Sequence, residues 1–259
     1  MKQIWLTSLG SSQDPVNSLM SNLKTYGLDV SGHFWKDDLK NMAWMAPVEN
    51  ITDPKIPFWA ILASGNELNN PDIRYGLSLT ALSIQAKKGN HFPIIILQQT
   101  QPDLISSDQL PTPLKNADIL SVSDPGIGAK LVAKAHTSPK PIPAEYHINI
   151  HGNEQIGQWF EVRPEKNSWP GIMFGVTDAE ISFQAAGPAG CLPDKSVLNY
   201  PVQGLKLNLG ETEYTAWATQ NALNDETSYF VKVDGFPKSI IFGPYSEKEA
   251  ADMYVLSLK

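Results

Sequence analysis

The sequence predicts an α/β domain followed by a mostly antiparallel β domain. Strand-like and helix-like segments alternate over the first 137 residues, and short strand-like segments bounded by turns fill most of the remainder. Between the two patterns lies TSPKPIPAEY, whose three prolines are typical of a semi-rigid linker. The predicted units are residues 1–137 and 147–259, joined by a proline-rich linker at residues 138–146.

Composition places the chain among ordinary globular proteins. Of its 259 residues, 42% are apolar and 18% are charged, with a net charge of −7. Residues 1–137 carry 11 basic and 12 acidic side chains, whereas residues 138–259 carry 9 and 15. This acidity disfavours a general nucleic-acid partner, because phosphate contacts require a basic surface.

Cysteine content and hydropathy define the expected setting of the protein. The single cysteine, Cys191, rules out an intramolecular disulfide or a cysteine metal cluster. The first ten residues are too polar for a secretory segment, and no run of about 18 apolar residues exists. We therefore expect a cytoplasmic protein without a membrane partner.

Five strand–helix pairs are predicted in the first domain. Residues 3–9 form a first buried strand, and the helical spacing that follows ends at Gly27. LDVSGHFW is a second strand, whereas residues 36–54 have helical spacing that Pro47 interrupts. The third, fourth and fifth strands are FWAILAS, PIIIL and ADILSVSD. Such alternation favours a parallel flavodoxin-like sheet in the order 2-1-3-4-5, with helices on both faces.

The run from Phe58 to Lys88 is the most informative stretch. A wholly apolar strand leads into a polar loop and then into a helix, for which Asn70 is a suitable N-cap and Pro71 a suitable first residue. Open α/β sheets bind ligands beyond the carboxyl ends of their strands, where strand order reverses. We therefore expect a cleft between the ends of the first and third strands.

That cleft would gather a mixed set of polar side chains. The candidate ligand-binding residues are Ser8, Ser11, Asp14, Ser64, Asn66, Asn70, Asp72 and Arg74. Arg74 is the best anion-binding candidate, because a helix N-terminus already favours negative charge, although it is also placed to pair with Asp72 or Glu67. Such a set suits a sugar, a ribose or a peptide end, or else forms ordinary polar loops.

Eight short strands are predicted in the second domain, in a sandwich or an open barrel. A final helix is expected over residues 246–258, with Ser246 as N-cap and Glu249 in a capping-box position. Within this domain residues 159–180 resemble residues 229–250: each has an aromatic–Phe pair, a turn, and an apolar triplet that ends in Phe and is followed by Gly. This echo indicates either a duplicated hairpin or two hairpins built by the same local rules.

The first half also resembles the Toll/interleukin-1 receptor (TIR) domain family. The similar pieces, within residues 3–135, are the SLGSSQD loop, the helix ending in GLDV, the KDDL loop, and a third strand ending in Ser64. The resemblance does not extend to the second half. NAD-cleaving members of that family carry a glutamate about twelve residues beyond this serine, and here that position is Gly76. The resemblance thus implies a binding or assembly role rather than NAD hydrolysis by the usual route.

Other chemistries lack their sequence signatures. No GxxxxGK[ST] or GxGxxG loop is present. His147 and His151 lie in a strand, where such a spacing separates two residues by roughly 13 Å, so we expect no metal site. The pair Asp37 and Asp38 is expected to be solvated. Most aromatic side chains are expected in cores, and Trp44 and Trp169, beside turn residues, are the best candidates for exposure.

Three functions follow from these patterns. The favoured one is non-catalytic binding of a small molecule or a protein at the cleft. The second is an enzyme acting on a nucleotide or an N-glycoside there, with Asp14, Asp72 or Glu67 as acid or base. The third is an assembly subunit joined through the β domain. No cofactor is required, although a nucleotide would suit the cleft, and the oligomeric state is not predicted.

Overall fold

A computed structural model describes residues 1–99, 105–246 and 252–259. The chain divides into two compact units, Met1–Ile142 and Pro143–Lys259. The first is an α/β unit with a parallel sheet, and the second is built of antiparallel strands.

In the described part of the α/β unit there are five strands and five α-helices. They are β1 (Lys2–Ser8), α1 (Gln13–Thr25), β2 (Leu28–Phe34), α2 (Val48–Ile51), β3 (Trp59–Ala63), α3 (Gly65–Leu68), α4 (Pro71–Lys88), β4 (Ile94–Gln98), β5 (Asp118–Ser121) and α5 (Ile127–His136). All strands are parallel, in the order β2-β1-β3-β4-β5. This confirms the predicted flavodoxin-like order.

Helices cover both faces of the sheet. Every residue of β3 and β4 is buried, as their unbroken apolar sequences predict. On one face, Leu19 and Leu23 of α1 and Leu131 of α5 pack against the strands. On the other face, α4 supplies Leu77 and Ile84 to a second core. The sheet therefore separates two hydrophobic cores.

Helix α4 begins as the sequence predicts. Asn70 Oδ1 accepts a hydrogen bond of 2.9 Å from the Asp72 amide, and Pro71 occupies the first helical position. The two proline-containing connections are less regular. Residues 36–54 contain a 3-10 helix (Ala43–Met45) and the single turn α2, and the fourth connection contains two further 3-10 helices, Ser107–Gln109 and Thr112–Leu114.

Over its described residues, the β unit contains nine strands in two antiparallel sheets. They are β6 (Tyr146–Asn153), β7 (Gly157–Pro164), β8 (Ile172–Val176), β9 (Ala179–Pro188), β10 (Val202–Leu209), β11 (Thr212–Thr219), β12 (Thr227–Gly235), β13 (Ser239–Pro244) and β14 (Tyr254–Ser257). One sheet has the order β10-β11-β8-β13-β14 and the other β6-β7-β12-β9. Phe160 and Phe174 meet between the sheets, with ring centroids 5.7 Å apart, which makes the unit a sandwich.

The two similar segments of this unit lie side by side. Each contributes one strand to the four-stranded sheet and the next strand to the five-stranded sheet, as β7–β8 and as β12–β13. In the second sheet Phe174 lies opposite its counterpart Phe242. In the first sheet, Val162 pairs with Tyr229 and Trp159 pairs with Lys232. When each residue is replaced by its equivalent in the other segment, the pair Trp159–Lys232 becomes Tyr229–Val162, and the pair Phe174–Phe242 maps onto itself. The strand pairing in each sheet therefore has local two-fold symmetry.

The C-terminal helix prediction is wrong for the residues that the structure describes. Tyr254–Ser257 is a strand that pairs with β13, and Tyr254 lies opposite Phe242. Burial of Leu256 and Leu258 at this edge of the sandwich outweighs the helical spacing. The predicted start of the helix, including Glu249, falls in residues 247–251, outside the described residues.

The exposure expected for Trp44 and Trp169 is also wrong. Their side chains are only 1% and 8% exposed. The Trp44 carbonyl accepts a hydrogen bond from Thr80 Oγ1, which holds its 3-10 helix on α4. Trp169 stacks on Tyr254, with ring centroids 6.3 Å apart. A neighbouring turn residue in the sequence therefore does not predict that a tryptophan side chain is exposed.

Among the described residues, no helix is long and apolar enough to cross a membrane.

Gly32 allows close contact between β1 and β2. A Cβ atom at this position would lie 2.0 Å from the Leu6 carbonyl oxygen, a backbone atom that no side-chain rotation can move. We expect Gly32→Ala to lower the free energy of unfolding by about 2 kcal/mol or more. Chemical denaturation measures this change, and Asp29→Ala, exposed in the same strand, is the control. Equal stability of the two variants would contradict the close contact.

Candidate functional site

Several of the polar groups predicted to line the cleft between β1 and β3 form hydrogen bonds within the protein. Ser64 and Glu67 form a capping box at α3: Glu67 Oε2 accepts from the Ser64 amide at 2.7 Å, and Ser64 Oγ accepts from the Glu67 amide at 3.4 Å. Arg74 Nε donates to the Leu68 carbonyl, and Arg74 Nη2 donates to Asn69 Oδ1 at 3.2 Å. Arg74 thus closes the end of α3 instead of facing an anion.

The loop after β1 contacts this capping box. The Leu9 amide donates to the Leu62 carbonyl at 2.9 Å, and Ser8 Oγ donates to the Gly10 carbonyl at 2.9 Å. A Cβ on Gly10 would lie 2.9 Å from Glu67 Oε1. The loop after β1 therefore approaches Glu67 of the capping box at Gly10, while the Ser8 hydroxyl bonds to the backbone of its own loop.

The remaining predicted residues divide into caps and exposed side chains. Asn70 caps α4, while four others are exposed: Ser11, Asp14, Asn66 and Asp72. Asp72 also affects the loop after β2. Partial burial, followed by the negative charges of Asp72 and Asp38, raises the pKa of Asp37 above its ordinary value. Asp38 instead accepts hydrogen bonds from Asn41, which hold its pKa low.

Gly76 occupies a space that is already filled. A Cβ atom here would lie 2.7 Å from Cζ2 of Trp35 and 3.4 Å from Cδ2 of Leu39. This is the position at which the TIR resemblance would place a glutamate. Because the Trp35 ring lies against the α4 backbone, a glutamate side chain would require this ring to move. The α4 face beneath Trp35 thus serves packing.

An open cavity of about 310 Å³ lies between α1 and the strands β1 and β2. Its apolar lining consists of Leu6, Val16, Met20, Val30 and Phe34. Its polar lining includes Ser8, Gln13 and Asn17. We call this cavity the α1 groove. Of the predicted ligand-binding residues, Ser8 lies in it, and the described lining contains no lysine, arginine, aspartate or glutamate.

Helix geometry explains the mixed lining. Gln13, Val16, Asn17 and Met20 follow the i, i+3, i+4, i+7 pattern that places residues on one face of a helix. Farther along α1, Leu19 and Leu23 pack tightly into the core. In the first half of α1 two exposed carboxamides, Gln13 and Asn17, lie beside the apolar residues Val16 and Met20 that face the strands. Polar residues in this stripe leave the groove open, and they are the sequence signal that could have located it.

His33 also lines the α1 groove, but its imidazole lies on the opposite face of the sheet. Strand alternation places it beside Trp5 and Thr7, and its Nδ1 accepts a hydrogen bond of 3.1 Å from Trp5 Nε1. Burial lowers the pKa of His33 from 6.5 to about 4. At neutral pH the ring is therefore uncharged, and the α1 groove has no cationic side chain among its described residues.

The β unit contains a buried carboxylate with three donors. Glu161 is 1% exposed. Its Oε2 accepts from His151 Nε2 at 2.5 Å, and its Oε1 accepts from Ser228 Oγ and from the Gly190 amide, each at 2.7 Å. Burial alone would raise the pKa of Glu161, but these hydrogen bonds and the His151 charge lower it to about 2.

This cluster differs from a nucleophilic triad. In a triad the histidine bridges the nucleophile and the carboxylate, whereas here the carboxylate bridges Ser228 and His151. Ser228 is also completely buried. The cluster instead ties β6, β7 and β12 to the segment that follows β9. No group of three or more metal-ligating side chains occurs among the described residues.

The Glu161 cluster predicts a specific loss of stability in acid. The folded state keeps the carboxylate ionised to about pH 2, while the unfolded chain binds a proton near pH 4.5, so its contribution is complete above that range and disappears as the pH falls toward 2. The difference corresponds to about 3 kcal/mol. Urea denaturation between pH 7 and 2 should therefore show a shallower acid slope for Glu161→Gln than for wild type. Glu180→Gln, at an exposed position in β9, should keep the wild-type slope, and a parallel slope for Glu161→Gln would refute this role.

Comparison with known proteins adds no family assignment. No protein-family model matches the chain, and no curated protein sequence matches it.

Proposed function

We propose that the protein is a non-catalytic binding protein whose α/β unit holds a small uncharged molecule in the α1 groove. The observation that carries this proposal is the open cavity beside the carboxyl ends of β1 and β2, lined by apolar side chains and by polar groups without formal charge. Ligand sites of open α/β sheets lie at this edge. The proposal keeps the binding role expected from the sequence, but places the binding site beside β1 and β2 instead of between β1 and β3.

Size and polarity support a small ligand. The volume of about 310 Å³ is close to the lower end of the roughly 300–1,000 Å³ typical of ligand pockets. An ionic ligand would need a compensating charge, and the described lining offers none. A phosphate-rich dinucleotide therefore fits less well than a single polar ring.

Enzymatic action on a nucleotide or N-glycoside is the second candidate. One observation favours it: the pKa of Asp37 is raised by partial burial and by Asp72, and a carboxyl group of this kind suits proton transfer. The test is hydrolysis of nucleosides and of NAD by wild type and Asp37→Asn. Turnover that is lost in the variant would support an enzyme, whereas the binding proposal expects no turnover by either protein.

Assembly through the β unit has weaker support. Strand β10 is exposed at the edge of its sheet, and Val202 and Leu209 expose apolar surface there. The strand also has an irregular register between Val202 and Leu205 and carries Lys206. Bulges and lysines on an edge strand oppose pairing with another chain.

A thermal-shift screen tests the binding proposal. The compounds are NAD, ADP-ribose, FMN, nucleosides, nucleobases and simple sugars. A ligand at about 100 times its Kd stabilises the folded state by about 2.7 kcal/mol, a readily measured shift. Val16→Phe fills the α1 groove with a larger side chain, while Arg74→Ala alters the predicted β1–β3 cleft without touching the groove.

The two variants separate the two locations. We expect the ligand-induced shift to vanish in Val16→Phe and to persist in Arg74→Ala. The opposite pattern would return the site to the cleft between β1 and β3. Absence of a shift with every compound would refute the proposed function. Each variant is first compared with wild type in the absence of ligand, so that lost folding is not mistaken for lost binding.

A further inference from the structure

Two carboxamides face the α1 groove from consecutive turns of one helix. Gln13 and Asn17 are four residues apart, and both line the cavity. Both side chains are exposed, and neither makes a hydrogen bond to the protein among the described residues. A carboxamide offers a donor and an acceptor side by side, so these two groups present paired hydrogen-bonding capacity to a ligand.

That pairing matches one chemical class closely. Purines and pyrimidines carry a donor next to an acceptor along one edge, and asparagine or glutamine forms two hydrogen bonds with such an edge, as with the N6 and N7 atoms of adenine. A sugar hydroxyl also bonds to a carboxamide, but it lacks the fixed planar donor–acceptor pair. The carboxamides therefore favour a planar heterocycle over a saccharide.

The rest of the groove suits the faces of such a ring. Phe34 is 41% exposed at the groove, and Val16, Met20 and Val30 add apolar surface. Aromatic and apolar side chains pack against the flat π faces of nucleobases, and this contact needs no charged group on the protein. The polar residues lie on the helix side and the exposed ring lies on the strand side, so one flat molecule can contact both.

We infer that the α1 groove binds an uncharged purine or pyrimidine, as the free base or the nucleoside, with Asn17 and Gln13 on its hydrogen-bonding edge and Phe34 on its ring. This inference rests on the proposed function and specifies its ligand. A phosphate group adds no affinity, because the described lining is free of cationic side chains. The positive N-terminal end of α1 is already complemented by the negative charge of Asp14 in its first turn.

Calorimetric titration of the full chain tests the inference. The probes are adenine, adenosine, uridine, AMP and glucose. Asn17→Leu keeps the approximate size of the side chain and removes both hydrogen-bonding groups. Asn22→Leu makes the same change at an exposed position of α1 outside the groove and is the matched control.

We expect at least one base or nucleoside to bind, AMP to bind no more tightly than adenosine, and glucose not to bind. Asn17→Leu should weaken binding by about tenfold or more, because the polar edge of the ligand loses one of its two carboxamide partners, and Asn22→Leu should leave binding unchanged. Equal binding by both variants, or AMP binding tenfold more tightly than adenosine, would overturn the inference. Binding of glucose or another screened compound through the groove, with no base or nucleoside bound, would overturn the ligand class and leave the proposed function standing. No binding by any compound would overturn both.

Discussion

Coverage of both faces of the central strands β3 and β4 is the constraint on which the α/β unit depends. Strands that are buried throughout require a helical layer on each side, and α1, α4 and α5 supply these layers. The requirement weakens toward the edge strand β2, whose C-terminal half alternates between partly buried and exposed residues. There α1 adds the exposed carboxamides of Gln13 and Asn17 beside the apolar side chains of Val16 and Met20. The groove thus lies where the sheet has the least apolar surface for α1 to cover.

The β unit meets a different constraint, the burial of a charge. A carboxylate without water around it is costly unless donors replace the lost hydration. Glu161 receives donors from β6, β12 and the segment after β9, so elements distant in sequence converge on one side chain. This convergence fixes the path of the connection that follows β9. The acidic side chain orders the unit without forming a catalytic arrangement.

Sequence patterns predicted the regular elements well, whereas the hydrogen-bond partners of the polar side chains became clear only in the folded structure. The alternation of strands and helices predicted the parallel sheet and its order. The eight predicted strands of the β unit follow from periodicity within short segments, which is visible in the sequence alone. The fate of polar groups depends on neighbours across space. The sequence left the partner of Arg74 open between an anion, Asp72 and Glu67, whereas its guanidinium donates to the Leu68 carbonyl. Glu67 instead accepts a hydrogen bond from the Ser64 amide. Tyr254–Ser257 has helical spacing, but the open edge of β13 converts it to a strand. The polar residues Gln13 and Asn17 of α1 hint at the groove in the sequence, but its second wall, β2, is identified only by the fold.

The paired segments β7–β8 and β12–β13 have a consequence for how the sandwich closes. Each segment covers the strand edges of the other in both sheets, with Phe174 facing Phe242 across the axis. This is the isologous geometry by which identical subunits form dimers. The protein therefore carries inside one chain an interface of the type that usually joins two.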